Sequence, residues 1–303
     1  MSAEDLTGRV AVVTGSGRGL GRAYAVALGR AGAAVVVNDV DEESAEGTVE
    51  LVRAAGGRAA VVVAPVGPAE TADRLIATAV SEFGRLDAMI ANAGVLRDRV
   101  MWKATDEDFD LVVATHLRGS FTCGRAAANH FREAGEGGRI ILIGSPAGQF
   151  GSFGQTAYAA CKAGLVAMAR TWSLELARAG VTVNAVIPTA MTEMTGTMPI
   201  YQEVYQRFLE GEPLPTVVRR EHALGSPEDV APLIVWLASD ASSGITGQAI
   251  GLGGDRLTLY AHPAVLETRD ADGGWTPNAI RQVWDTELSA LAQTSGPTFA
   301  PMD

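Results

Sequence analysis

Cysteine is scarce. Among 303 residues only Cys123 and Cys161 carry a thiol, too few for a disulfide framework and at no metal-ligand spacing, so no metal site is expected. Positive charge is short as well: 24 Lys and Arg face 35 Asp and Glu, for a net charge of −11. That balance works against nonspecific nucleic-acid binding, which draws on cations, and no RNA- or DNA-binding motif is present. No apolar run approaches the ~20 residues of a membrane-spanning helix, so no membrane partner is expected. The opening Met1-Ser2-Ala3-Glu4-Asp5 is acidic and lacks the basic and apolar parts of a signal peptide, which makes cytoplasm the expected location. Low-complexity segments are absent.

What is present is a hydrophobic content of 47%, ample for a core, arranged as short apolar runs alternating with amphipathic stretches. Strands are expected near residues 9–14, 33–39, 58–64, 87–91, 138–144, 181–187 and 248–252, with helices between them. Right-handed crossovers then give an α/β fold with a single doubly wound parallel sheet, Rossmann-type, and a C-terminal extension. Residues 1–255 read as one domain containing a substrate segment at about 191–225. Residues 256–303 read as an extension packed on the core or on a partner subunit.

The first expected strand runs into Thr14-Gly15-Ser16-Gly17-Arg18-Gly19-Leu20-Gly21. Gly15 suits a tight turn, while Gly19 and Gly21 let backbone approach a pyrophosphate at the N-terminus of the helix that follows. The second strand ends at Asp39, about 20 residues past the glycines, where an acidic residue meets the adenosine ribose of a dinucleotide. A carboxylate there accepts from the 2′-OH of NAD and repels the 2′-phosphate of NADP, by about 4 kcal/mol per charge pair at 4 Å before solvent screening. Val40-Asp41-Glu42-Glu43 offers no cation for a phosphate, so NAD is the expected cofactor.

Ser145 ends the apolar run Arg139–Gly144, placing it at the carboxyl edge of the sheet, the usual ligand site. Tyr158 and Lys162 lie four residues apart in a stretch that reads as a helix from Gln155 to about Ala177, so both project from one face. A free phenol titrates near ~10. A neighbouring ammonium favours phenolate, so Lys162 is expected to lower the Tyr158 pKa and make it a base.

With Asn92-Ala93-Gly94 after the fourth strand, these motifs in order resemble the short-chain dehydrogenases/reductases from about Leu6 to Asp255. The resemblance implies a nicotinamide cofactor held by Gly15, Arg18, Gly19, Leu20, Gly21, Asp39, Val66, Asn92, Ala93, Gly94, Tyr158, Lys162, Pro188 and Thr192, with Ser145, Tyr158 and Lys162 catalytic. It also implies a homodimer or homotetramer. The family's fourth catalytic residue is an asparagine; here the matching segment is His116-Leu117-Arg118-Gly119. His116 is therefore a fourth candidate, either supporting the same proton-relay water or simply structural. Two further departures are Pro65 in place of an aspartate beside the adenine and Thr189 in place of a glycine after Pro188.

Within the family, Val36–Asp39, Leu96–Arg99, His116–Phe121 and Phe153–Gln155 look like the (3R)-hydroxyacyl-CoA dehydrogenase portion of peroxisomal multifunctional enzymes and their bacterial relatives. That likeness implies an acyl-CoA substrate and NAD. Hydroxysteroids or other secondary alcohols are the alternative substrates, and a nucleotide-binding sensor without catalysis is a third reading. Tyr201, Val204, Tyr205, Phe208 and Leu209 recur at helical spacing after Met191, Met194 and Met198, as a lid over substrate or as ordinary packing. Arg97, Arg99 and Lys103 are offered either to coenzyme A phosphates or to solvent. In the tail, Pro277 starts an expected helix with Ile280, Val283, Trp284, Leu288 and Leu291 turned inward.

Overall fold

Runs of valine, isoleucine and alanine make strands here because both of their faces are covered. In the computed structural model, which describes residues 5–196 and 198–296, they are β1 (Val10–Thr14), β2 (Ala34–Asp39), β3 (Arg58–Val63), β4 (Ala88–Ala91), β5 (Gly138–Ile143), β6 (Val181–Pro188), β7 (Ala249–Gly253) and β8 (Arg256–Tyr260). The helices are α1 (Gly19–Arg30), α2 (Glu42–Ala54), α3 (Ala69–Phe83), α4 (Asp106–Val112), α5 (Gly119–Ala134), α6 (Ala147–Phe150), α7 (Thr156–Glu175), α8 (Glu193–Gly196), α9 (Gln202–Leu209), α10 (Thr216–Arg220), α11 (Pro227–Ala238) and α12 (Pro277–Val283). Among the described residues, no helix is long and apolar enough to cross a membrane.

One sheet holds all eight strands in the order β3-β2-β1-β4-β5-β6-β7-β8. The period-two rule sorts its side chains into two cores. Ala11, Val13, Val35, Val37, Ile141 and Ile143 face the layer of α1, α2 and α11, while Val10, Val12, Ala34, Val36, Ile140 and Leu142 face α3, α5 and α7. Strand order reverses between β1 and β4, and the crevice outside their carboxyl ends is where such a sheet binds ligands. The glycine turn follows β1, Asn92-Ala93-Gly94 follows β4, and Ser145 lies just past β5.

Two expectations are corrected. The seven expected strands are parallel, but an eighth, β8, pairs antiparallel with β7, so the first residues of the C-terminal extension complete the sheet. The turn between them is the two-residue Gly254-Asp255, with Gly254 at φ +51, a conformation that glycine adopts without steric cost. The tail helix starts at Pro277 as expected, but of the five residues expected to turn inward only Val283 and Leu288 are half-buried, while Ile280 is 54% exposed, Trp284 50% and Leu291 44%. Beyond β8 the tail touches the body through His262, whose Nε2 lies 3.0 Å from the Gly247 carbonyl, and again at its described end, where the Gly296 N–H donates to the Phe150 carbonyl at 2.7 Å.

Residues 191–225 fold around a small core of their own, with Met191, Tyr201, Val218 and Leu224 buried and Val204, Tyr205 and Phe208 packed against them. Leu209, grouped with them by spacing, instead faces solvent. Arg219 fastens the end of the segment, donating to Asp229 at 2.8 Å and to Asp255 at 2.9 Å.

Candidate active site

At Gly15 and Gly21 the turn is shaped by contacts that exclude any larger residue. A Cβ on Gly15 would lie 2.6 Å from Ala93 Cα, and one on Gly21 would lie 2.6 Å from Asn92 Nδ2. Gly19, at φ +55, has open space on its Cβ side. The N-terminus of α1 has no side-chain cap and no acidic residue in its first turn, so its leading N–H groups suit a bound diphosphate. Leu20 packs partly buried against the core. Arg18 points outward and pairs with Glu193 of α8 at 3.3 Å, both side chains being largely exposed.

Asn92 holds the turn rather than presenting its amide to the crevice. Its Nδ2 donates to the Thr14 and Gly15 carbonyls, each at 2.9 Å. Thr14 Oγ1 in turn accepts from the Asn92 and Ala93 N–H groups at 3.0 and 3.1 Å. Thr14 was not singled out by motif; its place at the strand end directly before Gly15 was the available signal. Gly17 was also passed over, although its N–H donates to Asp39 Oδ2 at 2.8 Å. Val66 packs beside Gly119, where a Cβ would meet its side chain. Pro188 ends β6, and the Thr192 hydroxyl sits 3.3 Å from that of Thr195.

Ser145, Tyr158 and Lys162 come together as expected, from β5 and from one face of α7. Ser145 is buried and accepts the Ala147 N–H at 3.2 Å. Lys162 Nζ donates to the Ile143 carbonyl at 2.6 Å and lies 5.5 Å from the Tyr158 ring centroid. Burial lowers the Lys162 pKa to about 8.

The expected depression of the Tyr158 pKa is not what this geometry gives. Burial pushes the phenol up, an interaction with Ser145 pulls it down, and Asp98 pushes it up again, for a net rise. The reason is directional: the Lys162 ammonium spends a hydrogen bond on Ile143 rather than on the phenol, while desolvation penalises phenolate.

His116 lies within a π-helical stretch, Val113–Arg118, between α4 and α5, an irregularity frequent at functional sites. Its ring stands edge-on to Tyr158, with centroids 5.1 Å apart and planes at 87°. Nε2 is 2.7 Å from the Val95 carbonyl and 3.0 Å from the Val95 N–H; one tautomer donates to the first, the other accepts from the second. Buried Nδ1 has no partner among the described residues. Burial first, then the Lys162 cation, drives the His116 pKa to about 3, against a small opposing effect of Val95. Both effects favour the neutral imidazole over imidazolium at physiological pH. Gly94 makes room for it, since a Cβ there would collide with the ring.

At the rim, Arg97 and Arg99 both pair with Asp108, at 3.4 and 2.8 Å. They are thus engaged within the protein. Cys161 is buried, and burial raises its pKa, which makes it a packing residue rather than a reactive thiol.

Comparison with known proteins agrees with this geometry. A family model described as Enoyl-(Acyl carrier protein) reductase matches residues 15–254. Hydroxyacyl-CoA dehydrogenase ChsB1 of Mycobacterium tuberculosis is 38% identical, over 91% of this chain and 87% of that protein. Peroxisomal multifunctional enzyme type 2 of Mus musculus is 33% identical over 92% of this chain, which spans 36% of the mouse protein. The crystal structure of a short chain dehydrogenase from Mycobacterium avium superposes with a TM-score of 0.82 at 35% identity, covering 98% of this chain and 99% of that one. Sheet order, glycine turn and the Ser145, Tyr158, Lys162 cluster together with these matches place the chain in the short-chain dehydrogenase/reductase family, as an oxidoreductase.

Proposed function

We propose that the protein is an NAD-dependent dehydrogenase that interconverts a secondary alcohol and a ketone, with a 3-hydroxyacyl-CoA as substrate. The observation that carries the reaction type is the convergence of Ser145, Tyr158 and Lys162 at the carboxyl edge of the sheet, beside an uncapped helix N-terminus and a glycine turn. The substrate class is supported by the relative named hydroxyacyl-CoA dehydrogenase, matched over most of both chains.

When bound, the nicotinamide supplies the hydride acceptor. Tyr158 takes the hydroxyl proton, and Ser145 donates to the same substrate oxygen and orients it. Lys162 binds the nicotinamide ribose and stabilises the phenolate that burial otherwise disfavours. Neutral His116 packs on Tyr158 and directs Nδ1 to a relay water. Gly15, Arg18, Gly19, Leu20 and Gly21 hold the diphosphate, Asp39 the adenosine ribose, Val66 the adenine, and Asn92, Ala93, Gly94, Pro188 and Thr192 flank the nicotinamide half. Residues 1–255 work as the catalytic domain, β8 of the extension completes its sheet, and the extension beyond Tyr260 seats on a partner subunit in a homodimer or homotetramer.

The test is NADH formation from a panel of (3R)-hydroxyacyl-CoAs and hydroxysteroids, each run with NAD and NADP. Higher kcat/KM for an acyl-CoA with NAD supports the proposal; silence with every acyl-CoA sinks its substrate class. One observation favours the steroid alternative: the engagement of Arg97 and Arg99 by Asp108 leaves Lys103 as the one remaining rim cation of the three offered to coenzyme A phosphates.

A further inference from the structure

The Gly17 peptide is gripped from both ends. Its N–H donates to Asp39 Oδ2 at 2.8 Å. Its carbonyl accepts from Arg22 Nε at 2.8 Å and also from Arg22 Nη2. Thr48, fully buried on α2, joins the same knot: its hydroxyl accepts from Arg22 Nε at 3.2 Å and lies 3.3 Å from the Gly17 carbonyl and 3.1 Å from that of Ser44. A Cβ on Gly17 would lie 2.8 Å from Asp39 Oδ2, so only glycine lets the carboxylate come this close. The other Asp39 oxygen accepts from the Val40 N–H at 2.8 Å and the Asp41 N–H at 3.3 Å.

Glycine gives this peptide freedom to rotate, and rotation would remove one of the three donors that aim the carboxylate. Arg22 opposes it with a rigid fork that a single hydroxyl cannot replace. Among the described residues no carboxylate pairs with Arg22; its half-buried guanidinium is devoted to the cofactor turn and to Thr48. We infer that Arg22, seconded by Thr48, is the positioning residue that locks the Gly17 peptide and through it holds Asp39 in the orientation that selects NAD over NADP. This rests on the NAD reading proposed above.

The test measures the dissociation constants of NAD and NADP by titration calorimetry on the wild-type chain, on Arg22→Gln and on Thr48→Val, with thermal melts to confirm folding. The field of the guanidinium at the diphosphate acts on both cofactors alike, and its loss at the 2′-phosphate would weaken NADP and widen the ratio, so a narrowed ratio reports on Asp39. Arg22→Gln should weaken NAD about tenfold and narrow the NAD-over-NADP ratio by about fivefold, with Thr48→Val shifting the ratio the same way by about twofold. A ratio unchanged in both variants overturns the inference while the NAD reading stands. A wild-type chain without NAD preference overturns both. If Arg22→Gln fails to fold, the ratio in Thr48→Val decides.

Discussion

Tyr158 shows what residue type and spacing convey and what they omit. The i, i+4 relation to Lys162 placed both groups on one face, and the structure brings Ser145 to them. The sequence carries no record that Lys162 Nζ turns to the Ile143 carbonyl, because that depends on a strand distant in sequence. If Tyr158 is the base, Tyr158→Phe should cut kcat by roughly 10²- to 10⁴-fold, with NAD affinity within about twofold; a variant of near-normal kcat would refute the role. His116 at about 3 predicts no inflection near its ordinary pKa in the pH profile of kcat/KM, and an inflection lost in His116→Asn would overturn its neutral role. Lys162 gives a sign-specific stability effect. Its folded pKa of about 8 is below the unfolded 10.5, so the folded state binds fewer protons between those values and stability rises with pH across that window. Lys162→Met should therefore be more stable than wild type at neutral pH, by roughly 2 kcal/mol, with the gap closing as pH approaches the upper value. Urea unfolding of the cofactor-free protein reads this directly.

At the scale of elements, the lower edge of the sheet is held by charge. Asp87, 5% exposed, accepts from Arg9 at 2.8 Å, from Arg85 at 2.7 and 2.9 Å and from the Val10 N–H at 2.8 Å, tying β1 to the loop that enters β4. Burial pushes its pKa up, but the hydrogen bonds from Arg85, Arg9 and Val10 outweigh this and hold it below the carboxylate value of 3.8. A depressed folded pKa contributes stability that is present above the unfolded value and lost as pH falls through the folded one. Asp87→Asn should cost about 1–3 kcal/mol at neutral pH, less than a fully buried pair because both arginines are partly exposed. The difference from wild type in urea unfolding should shrink below pH ~4; a difference that stays constant there would assign it to packing instead. The seven parallel strands were legible because each is a run of apolar residues bounded by turns. The eighth left a weaker trace: Gly254-Asp255 before Arg256-Leu257-Thr258-Leu259-Tyr260 is a hairpin signal, but its leucines are each 69% exposed, so the segment did not resemble a buried strand. The π-helical stretch around His116, which packs between α4, α5 and α7, left none.

The whole molecule leaves an apolar surface that a lone chain does not cover. Ile280, Trp284 and Leu291 are about half exposed, and Leu257 and Leu259 of β8 more so; exposed apolar side chains mark an interaction site where they form a large patch. Alternating patterns told which residues belong inside, and the tail follows such a pattern; they could not tell whether inside means this chain or another, because burial against a second copy reads the same in a single sequence. That ambiguity explains why Trp284, placed inward by periodicity, faces solvent here. If the extension seats on a partner subunit, light scattering at micromolar concentration should give a mass two or four times that of the chain. Trp284→Arg should then lower the assembly state or raise its dissociation constant at least tenfold, since placing a charge in a desolvated contact costs more than the ~1.4 kcal/mol that a tenfold change represents. The part of the tryptophan emission that Trp284→Phe removes should shift to the red on dilution as the ring returns to water. A wild-type chain that scatters as a monomer, or an assembly indifferent to Trp284→Arg, would remove the extension from the interface and leave its apolar face to a different partner.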